Sequence, residues 1–167
     1  MPRMIDLNAT TYWWVAAASI TNADAVSAAL LTSTNNISTY VVATTKIAPA
    51  ASDTISEKSI TDVANCVVPV TGNYEGTLVA FRDFTAGVPT ATDILTTVAG
   101  VAGVAGWIVR RVGFASTVAA AAAQVVEVYK FMTDNPQPSA GSGEGYLKAT
   151  IPLLPQGVFV TASVLVA

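Results

Sequence analysis

An α+β fold dominated by antiparallel β structure is predicted by three features of the chain. The composition is rich in Ala, Thr and Val, stretches of period-two alternation recur, and Gly- or Pro-marked turns separate several of them. A length of 167 residues suits one domain spanning residues 1–167 and suffices to bury a core. No internal repeat stands out.

The elements follow in order. Thr10–Ala16 (TTYWWVA) reads as a first strand. Asn22 is placed to cap a short helical turn through Asp24, Val26, Ala29 and Leu30. Ile37–Ala43 (ISTYVVA) reads as a second strand. Residues 44–71 carry Pro49, Asp53, Glu57, Lys58 and Asp62 with little apolar periodicity. A loop this long in a compact domain is usually functional or disordered, and Ile55 and Ile60 offer the alternative of a long hairpin arm.

Glu75–Phe84 (EGTLVAFRDF) gives the clearest strand, with Gly72-Asn73 as a turn before it and Gly87 and Pro89 closing the run. Both of its faces are partly apolar, so both are expected to be covered. Thr92 is the expected N-cap of a flanking helix carrying Ile94, Leu95 and Val98, ended by Gly100. Gly106–Gly113 returns as a strand. Ala115–Ala123 fits a helix by propensity or a connection of small residues equally well. Gln124–Met132 is a strand and Asn135–Gly145 a loop. Gly145–Pro152 alternates, with Leu147, Ala149 and Ile151 expected inward. Val158–Val166 forms a last strand with its valines on one face. The set folds as a β-sandwich or barrel with one flanking helix and a long loop or hairpin arm.

Only 11% of the residues are charged, against 52% hydrophobic, where a soluble domain carries about a quarter charged. Either the chain enters a membrane or partners cover much of its surface. The weakly polar run 98–109 is too short for a spanning helix of about twenty residues and is broken by Gly100, Gly103 and Gly106. Tyr12–Ile20 has the apolar content of a signal-peptide core. Its single basic residue Arg3, with Asp6 and a polar run before it, favours a strand instead. A soluble, unsecreted chain that assembles, without membrane insertion, is expected.

The chemistry for catalysis is thin. There is no histidine, so Ser-His-Asp, Cys-His and Cys/His zinc arrangements are excluded. The lone Cys66 sits in an apolar run and reads as a buried thiol, with no histidine to activate it. Glu75 and Asp83, at the two ends of one strand, are more than about 20 Å apart and cannot act as a pair. The glycines at 100, 103 and 106 lack the Gly-Lys-Ser/Thr of a phosphate loop. The Asn8 and Asn36 sequons arise readily by chance. A net charge of −3 with scattered basic residues argues against nucleic-acid binding. No enzyme, cofactor or metal is expected.

Two groups remain as interface candidates. Tyr12, Trp13 and Trp14 are consecutive, so at least one ring leaves the strand's core side, as interface aromatics do. Arg110 and Arg111 point to opposite faces of their strand. One is expected in solvent and the other against a carboxylate, either in the same chain or in a neighbour.

In order, the segments TGNYEGTLVAFRDF, GWIVRRVGF, VVEVYKFMTDNPQP and GYLKATIPLLPQG resemble the major tail proteins, or tail tube subunits, of long-tailed bacteriophages. The nearest likeness is to those of siphoviruses infecting actinobacteria. The resemblance covers most of the chain from about Thr10. It implies an early aromatic strand at Tyr12–Ala16, a second strand at Ile37–Ala43 and a long stacking loop over residues 44–71. A third strand at Glu75–Phe84, a helix at Thr92–Ala99 and the closing strands from Gly106 onward would follow.

The family implies homohexameric rings with joined inner sheets, stacked into a tube around a tape-measure protein and bounded by tail-end proteins. Double-stranded DNA passes through the lumen without specific binding. The place is the virion tail, after assembly in the host cytoplasm. On that footing Glu75, Asp83 and Glu127 are lumen candidates. Asp53, Ile55, Glu57 and Lys58 are inter-ring candidates, and Trp13, Trp14, Arg110 and Arg111 are subunit-interface candidates. The alternative is a β-sandwich binding module of a virion, for capsid decoration or receptor binding.

Overall fold

The computed structural model describes residues 9–57, 66–98, 101–139 and 146–167. Among the described residues nine strands and one short α-helix run in the order β1 (Thr10–Ala16), β2 (Lys46–Glu57), β3 (Cys66–Phe81), β4 (Phe84–Thr85), β5 (Val88–Pro89), α1 (Ile94–Thr97), β6 (Ala105–Val112), β7 (Val125–Thr133), β8 (Gln137–Pro138) and β9 (Lys148–Val164). The main sheet has the order β1-β6-β7-β9-β3-β2, with β8 on β9, and every pairing in it is antiparallel. This is the mainly antiparallel β fold that alternation predicts.

Alternation places two cores on the two faces of β1, β6 and β7. Trp14, Ile108, Tyr129 and Phe131 join Leu78 and Ala80 of β3, Ile151 and Leu153 of β9, Ile47 of β2 and Ile94 of α1. Strands from both ends of the sheet order share this core, so the sheet wraps around it. On the opposite face Trp13, Val15, Trp107, Val109, Val126 and Val128 pack with Ile20, Val26, Leu31 and Leu165. Gly106 permits the fit between β1 and β6: a Cβ there would stand 2.3 Å from Cζ2 of Trp14.

Ile37–Ala43 is not a strand. Its ends serve two different partners. The Ile37 amide donates to Tyr12 O at 3.0 Å, whereas Val42 N donates to Val79 O and Phe81 N to Tyr40 O, both at 2.8 Å. A turn closed by Tyr40 N on Ile37 O separates them. The segment ties β1 to β3, and changing partners mid-run prevents regular pairing.

Residues 44–71 hold the hairpin alternative. β2 and β3 pair from Lys46↔Thr77 to Glu57↔Cys66, with a bulge around Asp53. Ile60 lies outside the described residues. Gly72-Asn73 lies inside β3, not at a turn. Gly72 there lets the strand pass 3.2 Å from the Phe159 ring, measured to an added Cβ. β3 ends at Phe81, so Glu75 and Asp83 do not bound one strand; Phe84 instead opens the β4–β5 hairpin. That hairpin turns through Ala86 and Gly87 at φ 52° and 80°.

The flanking helix is a single turn, capped by Asp93 rather than Thr92, and Gly100 lies outside the described residues. Asn22 accepts from the Asp24 amide at 3.0 Å, while the 3-10 turn Ala28–Leu30 is capped by Ser27. Ala115–Ala123 is a connection, not a helix. Residues 148–164 form one strand where two were expected. Ala149 and Ile151 are inward as expected. Leu147 is exposed because it lies just beyond the sheet, and the Val158–Val164 face is largely exposed, with Ser163 and Leu165 buried instead.

Candidate functional site

Polar side chains gather in three places, and each does structural work inside the subunit. Asp93 is fully buried. Its carboxylate accepts from Arg82 Nε at 2.8 and 3.0 Å, from the Asp83 amide at 2.8 Å and from the Leu95 amide at 3.3 Å. Burial raises its pKa, but the Arg82 hydrogen bond, the Asp83 amide and the Arg82 charge together outweigh it, and Asp93 titrates below the ordinary carboxylate range. A depressed folded pKa contributes stability above the unfolded value near 3.9. That contribution vanishes as pH falls through the folded value. Asp93→Asn is therefore expected to cost about 3 kcal/mol at pH 7, with the gap from the parent closing below about pH 4. Urea melts at pH 7 and pH 3 check this, and a gap that does not change with pH contradicts it.

The second group is Arg110, Glu127, Tyr129 and Ile47. Arg110 Nε donates to Glu127 Oε2 at 2.6 Å and its Nη1 to Ile47 O at 2.8 Å, bridging β6 to β2 across the first core. Tyr129 Oη donates to the same carboxylate at 2.9 Å. Burial, then the hydrogen bond and charge of Glu127, push the Tyr129 phenol well above its ordinary value. Burial lowers Arg110, but Glu127, Tyr129 and Tyr12 raise it further.

The third is Arg111, with 0% of its surface exposed and no carboxylate among its described partners. Its Nη2 donates to Val118 O at 2.6 Å and Ala115 O at 3.4 Å. Its Nη1 reaches Ala119 O at 3.1 Å and Gln124 Oε1 at 2.9 Å. The guanidinium lies over Trp13 and Phe114, 5.1 and 4.9 Å from their centroids. Burial pulls its pKa below the ordinary value. Arg111 is enclosed, and Arg110 keeps 22% of its side chain exposed. Arg110 meets a carboxylate of its own chain, and Arg111 organises the Ala115–Gln124 connection.

The same burial revises the aromatic candidates. Trp13 and Trp14 point to opposite faces of β1, and each faces a core, so neither ring is offered to a neighbour. Trp107 is core as expected, its Nε1 donating to Ala17 O at 3.1 Å. Of the three carboxylates singled out by sequence, Glu127 is engaged inside the subunit. Glu75 pairs across β2–β3 with Lys46 at 2.5 Å, half in solvent. Asp83 accepts from Thr90 and Thr92 at 2.7 and 3.1 Å. The three do not converge.

The arm candidates do share one place. Asp53 and Ile55 lie exposed on β2, where Asn73 donates to Asp53 Oδ1 at 3.1 Å. Glu57 ends the strand, its side chain outside the description like that of Cys66. Lys58 lies outside the described residues, as does Asn8. Asn36 donates to Ser116 O at 3.1 Å and accepts from the Ser38 amide at 2.9 Å.

Sequence reasoning passed over two features. One is the Tyr74 hydroxyl. It donates to Lys130 O at 2.5 Å and accepts from the amides of Gln156 and Val158 at 2.7 and 3.3 Å, filling the irregularity where β9 leaves register with β7. Burial raises its pKa against those amides. The other is an apolar end of the sheet, built from Phe81, Phe84, Val88, Tyr146 and Leu147, all but Phe81 exposed. Adjacent aromatic and aliphatic residues at 81, 84 and 146–147 were the available signal.

A depression of about 570 Å³ is lined by Ser33, Thr34, Asn36, Thr39, Tyr40, Thr92 and Thr97 around Ile37. It gathers hydroxyls without a charged side chain, which suits packing or hydrogen bonding rather than acid–base chemistry. Among the described residues no cluster of three metal-binding side chains occurs and no helix is long and apolar enough to cross a membrane. A family model described as phage tail tube protein matches residues 1–167. No curated protein matches the chain.

Proposed function

Because this chain belongs to the phage tail tube protein family, and so is a structural component of a phage tail, we propose that its copies close into hexameric rings. The rings stack into the hollow tube of a siphovirus tail around a tape-measure protein, between tail-end proteins. Double-stranded DNA leaves through the lumen, and the subunit performs no catalysis. Assembly takes place in the host cytoplasm.

One observation carries this reading. From Asp53 to Glu57, the β2–β3 arm is a two-stranded ribbon: among the described residues β2 pairs only with β3, and β9 leaves β3 at Gly76. Residues 51–56 are all exposed. An isolated two-stranded ribbon is marginal in water and presents open edges, so it calls for a covering partner. A neighbouring ring supplies one, and Asp53, Ile55, Glu57 and Lys58 would make that contact. The scarcity of charge is met in the same way, by lateral contacts between subunits. Trp13, Trp14 and Arg111, being buried, drop out of those contacts.

Purified protein, viewed by negative-stain microscopy, is expected to show annular rings or tubes. Monomers or trimers at every concentration would remove the reading. For the lumen, Glu75 and Asp83 remain the candidates, with Glu127 engaged internally. A negative lumen does not grip DNA that must move through it. Asp83→Lys is expected to slow genome ejection while leaving tail length normal. Unchanged ejection from virions carrying it assigns Asp83 elsewhere.

A further inference from the structure

The arm and the apolar end lie towards opposite ends of β3: Asp53 and Ile55 pair with Thr71 and Val68, roughly 35–45 Å along the strand from Phe81. At the apolar end, Phe81 and Lys148 are directly paired across β3 and β9. The Lys148 ammonium lies 5.7 Å from the Phe81 centroid, and Tyr146 meets the same ring edge-on at 5.4 Å. Tyr146 is 82% exposed. Lys148 is exposed and forms no ion pair among the described residues. This end therefore presents an ammonium and an exposed aromatic ring, both against Phe81.

The arm presents the complement. Asp53 is an exposed carboxylate with no ion pair among the described residues, and Ile55, 51% exposed, follows two residues later on β2. Carboxylate and aliphatic side chain on one end thus match ammonium and aromatic on the other in type. The two surfaces cannot meet within one chain, since β3 separates them. They can meet between copies, and contacts that repeat head to tail without closing are what generate an open filament.

Resting on the tube reading above, we infer that the apolar end is the receptor for the arm of the next copy along the tube axis. Ile55 packs against Tyr146 and Phe81, and Asp53 pairs with Lys148. Val88, 64% exposed on the β4–β5 hairpin, and Leu147 extend the apolar surface around the same end. The occupant is a second copy of this chain.

The test uses the full chain. Asp53→Lys and Lys148→Asp are each expected to lower the fraction of protein sedimenting as tubes by about tenfold, and the double variant to recover most of it. Both positions are exposed, and near-ultraviolet circular dichroism confirms that each variant folds. In a Cys66→Ser background, Ile55→Cys with Tyr146→Cys should give, on oxidation, a ladder of covalent multimers longer than one ring. A lateral contact would stop the ladder at ring size. Wild-type tubes with no recovery in the double variant and no ladder overturn the arm–receptor pairing alone. Wild-type protein that forms no tube takes the underlying reading down with it.

Discussion

Deleting residues 53–58 abolishes tube growth and leaves a folded subunit or an isolated ring. The expectation follows from where the arm's contacts lie. Both cores draw on strands β1, β6 and β7, and β3 and β9 add to the first, while β2 contributes Ile47, well before the deletion. Residues 51–56 are exposed and belong to neither core. The deletion therefore removes intermolecular surface with little loss of intramolecular packing. A contact repeated by every subunit of a ring acts with high effective concentration once the first is made. Removing it from all copies at once gives a loss of stacking close to all-or-none, seen as rings without tubes by electron microscopy. Normal long tubes from the shortened chain would show that stacking lies elsewhere.

Arg111→Met is expected to destabilise the subunit by about 3 kcal/mol or more. Replacing a buried ion pair by apolar residues is often harmless, because both charges leave together. Here the partners are main-chain carbonyls of Ala115, Val118 and Ala119, which no side-chain substitution removes. The methionine keeps the stem's packing but abandons these acceptors and the contacts with Trp13 and Phe114. Arg111→Lys recovers little, since one ammonium cannot span both the Val118 and the Gln124 acceptors from a single stem. Urea denaturation measures the loss, and limited proteolysis should place new cleavage between Ala115 and Gln124. An unchanged urea midpoint for Arg111→Met would show that the connection organises itself.

β1, β6 and β7 were legible to within a residue, because each alternates strictly and stays with the same neighbours along its length. The family was legible too, from the order of four segments spread through these strands and β9. What escaped depends on distant partners. The 37–43 segment has the composition of a strand, but its two halves bond to β1 and β3. Gly72 reads as a turn, yet its lack of a side chain serves the close approach of Phe159. Pro152, Pro155 and Gly157 look like a break between two strands. Within β9 they fall at or near the irregular pairing with β7, where the Tyr74 hydroxyl takes up the Gln156 and Val158 amides. Arg110 and Arg111 are indistinguishable as a sequence pair. Alternation foretold opposite faces but not that Arg111 would be fully enclosed without a carboxylate partner among its described contacts. The site followed the same rule. The arm was visible as a stretch of unusual character, whereas its receptor is assembled from residues 81–88 and 146–148, brought together only by the pairing of β3 with β9.

That pairing also fixes when a subunit becomes competent. In the sheet order, β9 stands between β1-β6-β7 and β3-β2, so among the described residues the two halves have no strand-to-strand link except through it. It is also the last of these strands to be synthesised. Until it exists, the ribbon that bears the arm is joined to the other half chiefly through residues 35–42, and the receptor end lacks Tyr146 and Lys148. Bringing β9 alongside β3 closes a connection running from Arg82 to Leu147, a long-range step that comes late in folding. On the arm–receptor pairing proposed above, a nascent or half-folded chain would carry the donor surface before it has the acceptor, and completion of the fold would time the start of polymerisation.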